Sequence, residues 1–485
     1  MRCAAWLASA AEAGWLVFLD GDLGAGKTAF ARGFIRALCG QGTQVPSPSF
    51  TLVQPYQDAT PPILHSDFYR LADAEEVLQL GLVEALADHC VLVEWAERAD
   101  DLLPPPTVII ALKEDTTAAR HITITAPSDV VAGLEKAAAR DADIAGFLRT
   151  AGWAEAERHP LAGDASTRRY ERLKQNDQSA VLMDWLARPD GPAVYDGKPY
   201  SAVVHLAEAM PAYCRMVDWL RAHDIAAPAL LARDQAAGFA LMADFGDRHI
   251  ANDATIDRSV FYHEAIANLL HLHQVEAAPF LAAYDGAVQA IEASLFIDWY
   301  MPFIGSTLEA KARAAFDGFW QRAGDALVGH HPVTVLRDYH SVNLLWRETA
   351  QARYRIGVID VQDALAGHAA YDVASLLADA RLDVDPAHAA AAYQHYVTAR
   401  FGDDRAAQDE FAAAYAHCLV QRNLKIAGIF VRLAQRDGKT GYLKHLPRIL
   451  RYLRHGLAHP ALAEMADWMR AHAPGIMEPS DESPN

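Results

Sequence analysis

Short apolar runs alternate with helix-spaced segments in the first part of the chain. Residues 15–20 form a largely apolar run, and residues 29–39 follow with apolar side chains at helical spacing. Further apolar runs predict buried strands at 63–65, 91–93, 108–111 and 121–124. Helical patterns lie between them, at 73–80 and 82–87. This alternation is typical of an α/β domain, which we predict to cover residues 1–127.

A different pattern follows an Ala- and Asp-rich helical segment at 128–142, which we predict to be a linker. Short strand patterns appear at 168–173, 180–183 and 239–242, with a helix over 210–222. From about residue 257 the chain is mostly helical. A small β-rich part followed by a large α-rich part predicts a two-lobed α+β domain over 143–477. The polar tail, 478–485, predicts disorder.

Composition and charge narrow the function. The chain has 485 residues, 52% of them hydrophobic, which suits two packed domains. Its formal net charge of -19 argues against a broad nucleic-acid-binding surface, which would need clustered Lys and Arg. Five scattered cysteines without a CxxC pair are typical of a reducing compartment. With no signal-like start and no apolar run long enough for a bilayer, we expect a soluble cytoplasmic protein without membrane contact.

The first chemical motif is a P-loop over residues 21–28, Gly-Asp-Leu-Gly-Ala-Gly-Lys-Thr. A predicted strand precedes it and a predicted helix follows it, which is the context this motif requires. The backbone amides of Gly24, Ala25 and Gly26 would point at ATP phosphates. Lys27 would reach the β- and γ-phosphates, and the hydroxyl of Thr28 would ligate Mg²⁺.

A second phosphate-handling motif lies about three hundred residues downstream, at 336–343, Leu-Arg-Asp-Tyr-His-Ser-Val-Asn. The spacing lets Asp338 face an acceptor hydroxyl as the base while Asn343 turns toward Mg²⁺. A strand pattern over 356–359 then ends at Asp360, which would ligate the metal from the opposite side. The sequence Asp-Phe-Gly at 244–246 precedes this loop, so we do not expect a metal-ligand role for it.

The first domain resembles the TsaE (YjeE) family of P-loop ATPases. The resemblance rests on the P-loop and on four further strings, at 47–53, 65–71, 75–76 and 93–95. It implies that Thr28 and Glu94 hold Mg²⁺ and that Asp67 positions the metal or the attacking water. Without it, Glu94 reads as a solvated acid at a strand end and Asp67 as a helix N-cap. The family carries a further stretch before the P-loop strand, so we expect a late start or a shortened first lobe here.

The second domain resembles the aminoglycoside-phosphotransferase superfamily, and within it the AmgK-type anomeric sugar kinases. The matching strings are at 163–170, 337–343, 358–364, 371–377 and 421–425. The resemblance implies that Asp338 is the base, that Asn343 and Asp360 bind Mg²⁺, and that Gly163, Ser166 and Thr167 cover the ATP phosphates.

Several residues of this domain keep two interpretations. The small-lobe Lys of the superfamily is not evident, because Met183 stands at its expected position. Arg168 or Arg169 is the candidate replacement, with a plain surface charge as the alternative. Asp372 is expected to orient the catalytic loop. Tyr339 and His340 belong to the catalytic loop. Each either shapes the sugar pocket or only packs within the loop.

The sequence thus predicts an α/β P-loop NTPase domain followed by a two-lobed, protein-kinase-like phosphotransferase domain, both using ATP and Mg²⁺. The first would support threonylcarbamoyladenosine formation in tRNA together with TsaD- and TsaB-type proteins. The second would phosphorylate a cell-wall amino sugar, N-acetylmuramate or N-acetylglucosamine, at the anomeric hydroxyl. Alternatives are an aminoglycoside or other small-alcohol kinase and a regulatory pseudokinase for the second domain, and a scaffold with negligible hydrolysis for the first.

Overall fold

The computed structural model describes residues 2–40, 42–115, 120–161, 168–186, 193–195, 197–207, 209–328 and 331–478. The chain divides into two compact units between Ala154 and Glu155, here called the first and second units. The division falls after a helix that spans 128–150, so the predicted linker lies inside one helix of the first unit. The limits at 127 and 143 stay predictions.

A mixed sheet forms the centre of the first unit. Its strands are β1 (Leu16–Asp20), β2 (Val53–Tyr56), β3 (Ile63–Asp67), β4 (Cys90–Glu94), β5 (Val108–Glu114) and β6 (Arg120–Thr125). In the described residues their order is β2-β3-β4-β1-β5-β6. The four inner strands are parallel, whereas β2 and β6 pair antiparallel at the edges.

Helices cover this sheet on both faces, and its inner strands β1 and β4 are nearly continuous apolar runs. The helices are α1 (Arg2–Ala8), α2 (Lys27–Cys39), α3 (Leu82–Ala85) and α4 (Ser128–Thr150), with 3₁₀ segments at Ala74–Leu80 and Ala96–Leu102. Val17 and Leu19 of β1 join the apolar cluster that contains side chains of α1, α2 and α4. Leu16 joins a second cluster with Phe68 and Leu82. Because α2 begins at Lys27, directly after β1 and the P-loop, the loop lies at the carboxyl edge of the parallel strands.

The second unit begins with an antiparallel sheet. Its strands are β7 (Glu157–Leu161), β8 (Arg169–Gln175), β9 (Gln178–Asp184), β12 (Leu230–Asp234) and β13 (Phe239–Ala243), in the order β12-β13-β9-β8-β7. Three two-stranded pairs complete the described strands: β10 (Ala193–Tyr195) with β11 (Lys198–Pro199), β14 (Val333–Val335) with β17 (Leu365–Gly367), and β15 (Leu344–Trp346) with β16 (Ile356–Val358). The catalytic-loop motif connects β14 to β15.

The rest of the second unit is helical. Its helices are α5 (Tyr200–Val203), α6 (Met210–Ala222), α7 (Arg258–Leu272), α8 (Gly286–Leu295), α9 (Met301–Phe303), α10 (Ala310–Val328), α11 (Ala370–Leu377), α12 (Pro386–Phe401), α13 (Arg405–Asp437), α14 (Leu446–Leu457), α15 (Ala463–His472) and α16 (Pro474–Met477). One apolar cluster joins α6, α7 and α11 to the strands around the catalytic loop. A second joins α8, α10, α13 and α14. Among the described helices, none has the length and apolar character to cross a membrane.

Candidate active sites

The P-loop of the first unit makes a tight turn around the amine of Lys27. Gly24 and Gly26 have φ values of 84° and 106°, a region that glycine enters without strain. The Nζ of Lys27 donates hydrogen bonds to the carbonyl oxygens of Asp22, at 3.0 Å, and Gly21. The same amine lies 3.6 Å from the centroid of the Trp95 ring. Burial lowers the pKa of Lys27, although the carboxylate of Glu94 acts in the opposite direction.

Two buried carboxylates face the P-loop from the ends of adjacent parallel strands. Asp67 ends β3 and Glu94 ends β4, and the two are register partners. Glu94 accepts hydrogen bonds from the hydroxyl of Thr28 at 2.9 Å and from Nε2 of His65 at 2.9 Å. Only 2% of Glu94 is exposed. Helix α2 and strand β4 thus place a hydroxyl and a carboxylate side by side at the P-loop.

Asp67 has a separate set of partners. It accepts hydrogen bonds from the hydroxyls of Ser47, at 2.5 Å, and Ser49, at 2.7 Å. Its other oxygen accepts from the backbone amide of Tyr69 at 2.9 Å, so Asp67 also caps the turn that follows β3. These hydroxyls come from the string at 47–53, one of those on which the resemblance to the TsaE family rests. Asp67, Ser47 and Ser49 line one cleft of about 230 Å³ with the P-loop, Glu94 and Trp95.

The donors in this cleft suit Mg²⁺ and a nucleotide. Mg²⁺ prefers hard oxygen ligands and takes most of its shell in nucleotide sites from phosphates and water. Thr28 and Glu94 supply two such oxygens, and Lys27 supplies a cation for the phosphates. Over the described ranges, His, Cys, Asp and Glu side chains form no cluster of three or more that could hold a metal by itself.

The catalytic loop of the second unit is held by two buried carboxylates of the helical part. Asp372 of α11 accepts hydrogen bonds from the backbone amides of Leu336, at 2.7 Å, and Arg337, at 3.0 Å. Asp379 accepts one from the amide of Ser341 at 2.8 Å. The predicted orienting role of Asp372 is therefore confirmed.

Asp338, Asn343 and Asp360 meet at this loop. The side-chain amide of Asn343 donates to the backbone oxygen of Asp338 at 3.0 Å. Strands β15 and β16 pair Leu344 with Val358, and the amide of Ile359 donates to the backbone oxygen of Asn343 at 3.0 Å. Asp360, with φ of 60°, follows directly. The hairpin thus brings the two predicted metal ligands to the same end of the site.

The surroundings of Asp338 and Asp360 shift the pKa values of these two carboxylates in opposite directions. Desolvation acts to raise the pKa of Asp338, but the charges of His340, Lys425 and Arg422 hold it below its usual value. Desolvation raises the pKa of Asp360; Arg168 opposes this and the charge of Asp338 reinforces it. Asp338 therefore keeps the ionised form that a proton acceptor needs. Carboxylate and amide oxygens, as on Asp360 and Asn343, are suitable ligands for Mg²⁺.

Of the two arginines predicted as replacements for the small-lobe Lys, one lies against a predicted metal ligand. Arg168 pairs with Asp360 at 2.6 Å, and its side chain is only 11% exposed. Arg169, the other candidate, is exposed on β8. Met183 is fully buried in β9 between the register positions of Tyr170 and Ala240. The remaining predicted nucleotide-loop residues, Gly163, Ser166 and Thr167, lie outside the described residues.

Two family models match the chain. That of threonylcarbamoyl adenosine biosynthesis protein TsaE matches residues 1–122, and that of the phosphotransferase enzyme family, APH, matches residues 157–417. An N-acetylmuramate/N-acetylglucosamine kinase of Caulobacter vibrioides is 36% identical over 362 residues, covering 69% of this chain and 97% of that protein. The TsaE protein of Rickettsia bellii is 46% identical over 98 residues, covering 20% of this chain and 68% of that protein.

The chain belongs to both families. It joins a TsaE unit to a phosphotransferase unit, and the predicted fold class of each is confirmed. A second relative of the phosphotransferase unit is an N-acetylmuramate/N-acetylglucosamine kinase of Pseudomonas aeruginosa. It is 34% identical over 331 residues, covering 65% of this chain and 89% of that protein.

The phosphotransferase unit contains a buried ion network that sequence reasoning missed. Glu292 of α8 is fully buried and pairs with Arg337 and with Lys425 of α13, the latter at 3.0 Å. It also accepts a hydrogen bond from the hydroxyl of Tyr284 at 2.5 Å. Burial acts to raise the pKa of Glu292, but Arg337 and Lys425 lower it to about 2. No motif marks Glu292, because its partners come from distant segments of the chain.

Tyr339 and His340, the two loop residues with two interpretations, are both buried. The hydroxyl of Tyr339 donates to the backbone oxygen of Ala265 at 2.9 Å, so this residue packs the loop. His340 lies 3.8 Å from Asp338, and burial lowers the pKa of its imidazole. The Asp-Phe-Gly sequence lies after β13, where Asp244 pairs with Arg172 at 2.8 Å.

Proposed function

We propose that the phosphotransferase unit transfers the γ-phosphoryl group of ATP to the anomeric hydroxyl of N-acetylmuramate or N-acetylglucosamine. The TsaE unit would be the ATPase subunit that supports threonylcarbamoyladenosine formation in tRNA, with TsaD- and TsaB-type partners. Both activities would take place in the cytoplasm. The arrangement of Asp338, Asn343 and Asp360 on one loop and hairpin carries the first part of the proposal, together with the names of the relatives.

The proposed roles in the phosphotransferase unit follow from charge and position. Asp338 accepts the proton of the acceptor hydroxyl, since its pKa is held low and its side chain is 40% exposed. Asn343 and Asp360 hold Mg²⁺, which offsets charge on the phosphates when bound. Arg168, beside Asp360, is the cation for the phosphates in place of the small-lobe Lys.

Charge around Asp338 favours an amino sugar over an aminoglycoside. The cations whose charges act on this carboxylate include Lys425, Arg422 and Arg337. A polycationic aminoglycoside would bring further positive charge beside these residues, which costs energy at short range. The alternative of a regulatory pseudokinase is disfavoured because base and metal ligands are all present.

For the TsaE unit, we propose that Lys27 binds the ATP phosphates and that Thr28 and Glu94 hold Mg²⁺. Asp67, linked to the hydroxyls of Ser47 and Ser49, would position the attacking water or the metal. A net charge of -19 favours a role within a protein complex over direct binding of tRNA by this chain.

The experiment is a pair of assays on the full chain and two variants. We expect Asp338→Asn to lower phosphorylation of both sugars by about 10²- to 10⁴-fold, the usual contribution of a general base. Lys27→Ala should leave that activity unchanged and instead abolish ATP hydrolysis measured with the tRNA-modification partners. Sugar phosphorylation that survives Asp338→Asn would contradict the base assignment. Phosphorylation of kanamycin in preference to both sugars would contradict the acceptor class.

A further inference from the structure

Strand β3 places a buried histidine beside the carboxylate of Glu94 in the TsaE unit. His65 and Asp67 are two positions apart on this strand, so their side chains lie on the same face of the sheet. Asp67 is the register partner of Glu94, and Leu92 is that of His65. Nε2 of His65 donates a hydrogen bond to Oε1 of Glu94 at 2.9 Å. His65 is fully buried, and only 2% of Glu94 is exposed.

The two oxygens of Glu94 have different partners. Oε2 accepts a hydrogen bond from the hydroxyl of Thr28 at 2.9 Å, which joins the two proposed metal ligands. Oε1 accepts from His65. The described residues that line the cleft include Thr28, Asp67 and Glu94 but not His65. His65 thus contacts the carboxylate from outside the space that a nucleotide and a metal would occupy.

The surroundings of His65 make a role in packing alone unfavourable. Ile63, on the same face of β3, and Leu92 belong to a cluster of buried apolar side chains. Nδ1 of His65 has no hydrogen-bond partner among the described residues. A buried polar atom without a partner costs free energy, whereas an apolar side chain at this position would carry no such cost. The hydrogen bond to Glu94 is the contact that an apolar side chain could not replace.

Resting on the proposed role of Glu94, we propose that His65 is a positioning residue for the Mg²⁺ site of the TsaE unit. Its hydrogen bond to Oε1 fixes the rotation of the carboxylate, so that Oε2 stays beside the hydroxyl of Thr28. A carboxylate that is already held in one orientation loses less conformational freedom when a metal binds. Hydrogen-bond partners of this kind contribute about 10- to 100-fold to metal affinity.

The test measures binding of Mn²⁺, a paramagnetic substitute for Mg²⁺, by electron paramagnetic resonance in the presence of a non-hydrolysable ATP analogue. The full chain carries Asp360→Ala throughout, which removes a proposed metal ligand of the phosphotransferase unit. We expect His65→Leu to weaken Mn²⁺ binding by about 10- to 100-fold. His65→Gln should stay within about 3-fold, because its amide nitrogen can take the place of Nε2 and keeps a donor. His121→Leu is the matched control, since His121 is exposed on β6.

Binding of the ATP analogue without metal separates positioning from packing, and we expect it to be the same in all of these variants. If His65→Leu binds Mn²⁺ as tightly as the Asp360→Ala chain, the inference is overturned. Equal loss of Mn²⁺ binding in His65→Leu and His65→Gln would also overturn it, since that result would assign His65 to packing.

Two further variants keep the test decisive. If His65→Leu does not fold, His65→Asn takes its place, because the shorter amide does not reach Glu94 as the amide of glutamine does, and the same comparison with His65→Gln decides. Glu94→Gln tests the proposed function itself. Unchanged Mn²⁺ binding in that variant would overturn the metal role of Glu94 and the inference with it.

Discussion

At the residue scale, the orientation of Asp338 in the phosphotransferase unit depends on buried contacts of its neighbour in the chain, Arg337. Asp338 is the proposed base, and the side chain of the adjacent Arg337 pairs with the fully buried Glu292. Arg337 has φ of 67°, a strained conformation for an arginine, and Asp372 holds the backbone amide of the same residue. The ion pair and the amide contact together determine the direction in which the next side chain, Asp338, points.

The pH dependence of stability should reveal this buried pair. The pKa of Glu292 is lowered to about 2, so its stabilising contribution is complete above its unfolded pKa and is lost as the pH falls toward 2. The stabilising contribution of Glu292 that is lost between its unfolded and its folded pKa amounts to roughly 3 kcal/mol. Glu292→Gln should therefore destabilise the unit by about 3–5 kcal/mol at pH 7, and the difference should shrink below pH 4.5.

Urea unfolding followed by tryptophan fluorescence at pH 7, 5 and 3.5 measures this difference. Glu464→Gln is the control, because Glu464 is a surface acid, 62% exposed, that pairs with Arg322. Its effect should stay below about 1 kcal/mol at each pH. A difference in the free energy of unfolding between Glu292→Gln and the unsubstituted chain that stays constant with pH would contradict the prediction that ionised Glu292 stabilises the unit.

At the element scale, the sequence patterns predicted the inner strands of the sheets but not several of the edge strands. Strands β1 and β4 are buried along most of their length and therefore read as apolar runs, and β5 also has apolar residues at its start although Ile109 is exposed. The edge strands β2, β7 and β12 were not predicted: the first two contain a proline, Pro55 and Pro160, and β7 and β12 are largely exposed. That Asp338, Asn343 and Asp360 lie on one loop and hairpin could be predicted because the motifs keep them close in sequence; their roles as base and metal ligands stay proposals. Glu292 was not assigned a role, since its buried environment exists only once α8 and α13 pack.

The crossing of α8 and α13 should be sensitive to a single methyl group. A Cβ on Gly428 would lie 2.3 Å from the backbone carbonyl of Leu295, which cannot move as a side chain would. The helix-propensity gain of alanine, about 1 kcal/mol, acts the other way. We expect Gly428→Ala to destabilise the unit by about 1–3 kcal/mol net and to lower sugar phosphorylation, because Lys425 lies one turn away.

Thermal unfolding and turnover of N-acetylglucosamine test this expectation together. Gly441→Ala is the matched control, since a Cβ there would meet nothing within 4 Å. If Gly428→Ala is as stable and as active as the control, the close contact between α8 and α13 at Gly428 is not needed for stability or for sugar phosphorylation.

At the scale of the whole molecule, the proposed function gives the chain two different ways of holding ATP. The TsaE unit would use the amides and the lysine of a P-loop at the edge of a parallel sheet. The phosphotransferase unit would use its catalytic loop, the hairpin that ends at Asp360, and Arg168 beside its antiparallel sheet. Because the two sets of residues lie in different compact units, each site should bind nucleotide without residues of the other.

Nucleotide stoichiometry decides whether the sites are independent. Calorimetric titration of the full chain with a non-hydrolysable ATP analogue and Mg²⁺ should give two sites per chain. Lys27→Ala removes a phosphate-binding cation and should leave only the second site. Asp360→Ala removes a metal ligand and should leave only the first. Lys311→Ala, a substitution of an exposed lysine on α10, should retain both sites. A single site in the unsubstituted chain, or loss of both sites in one variant, would contradict two separate nucleotide pockets.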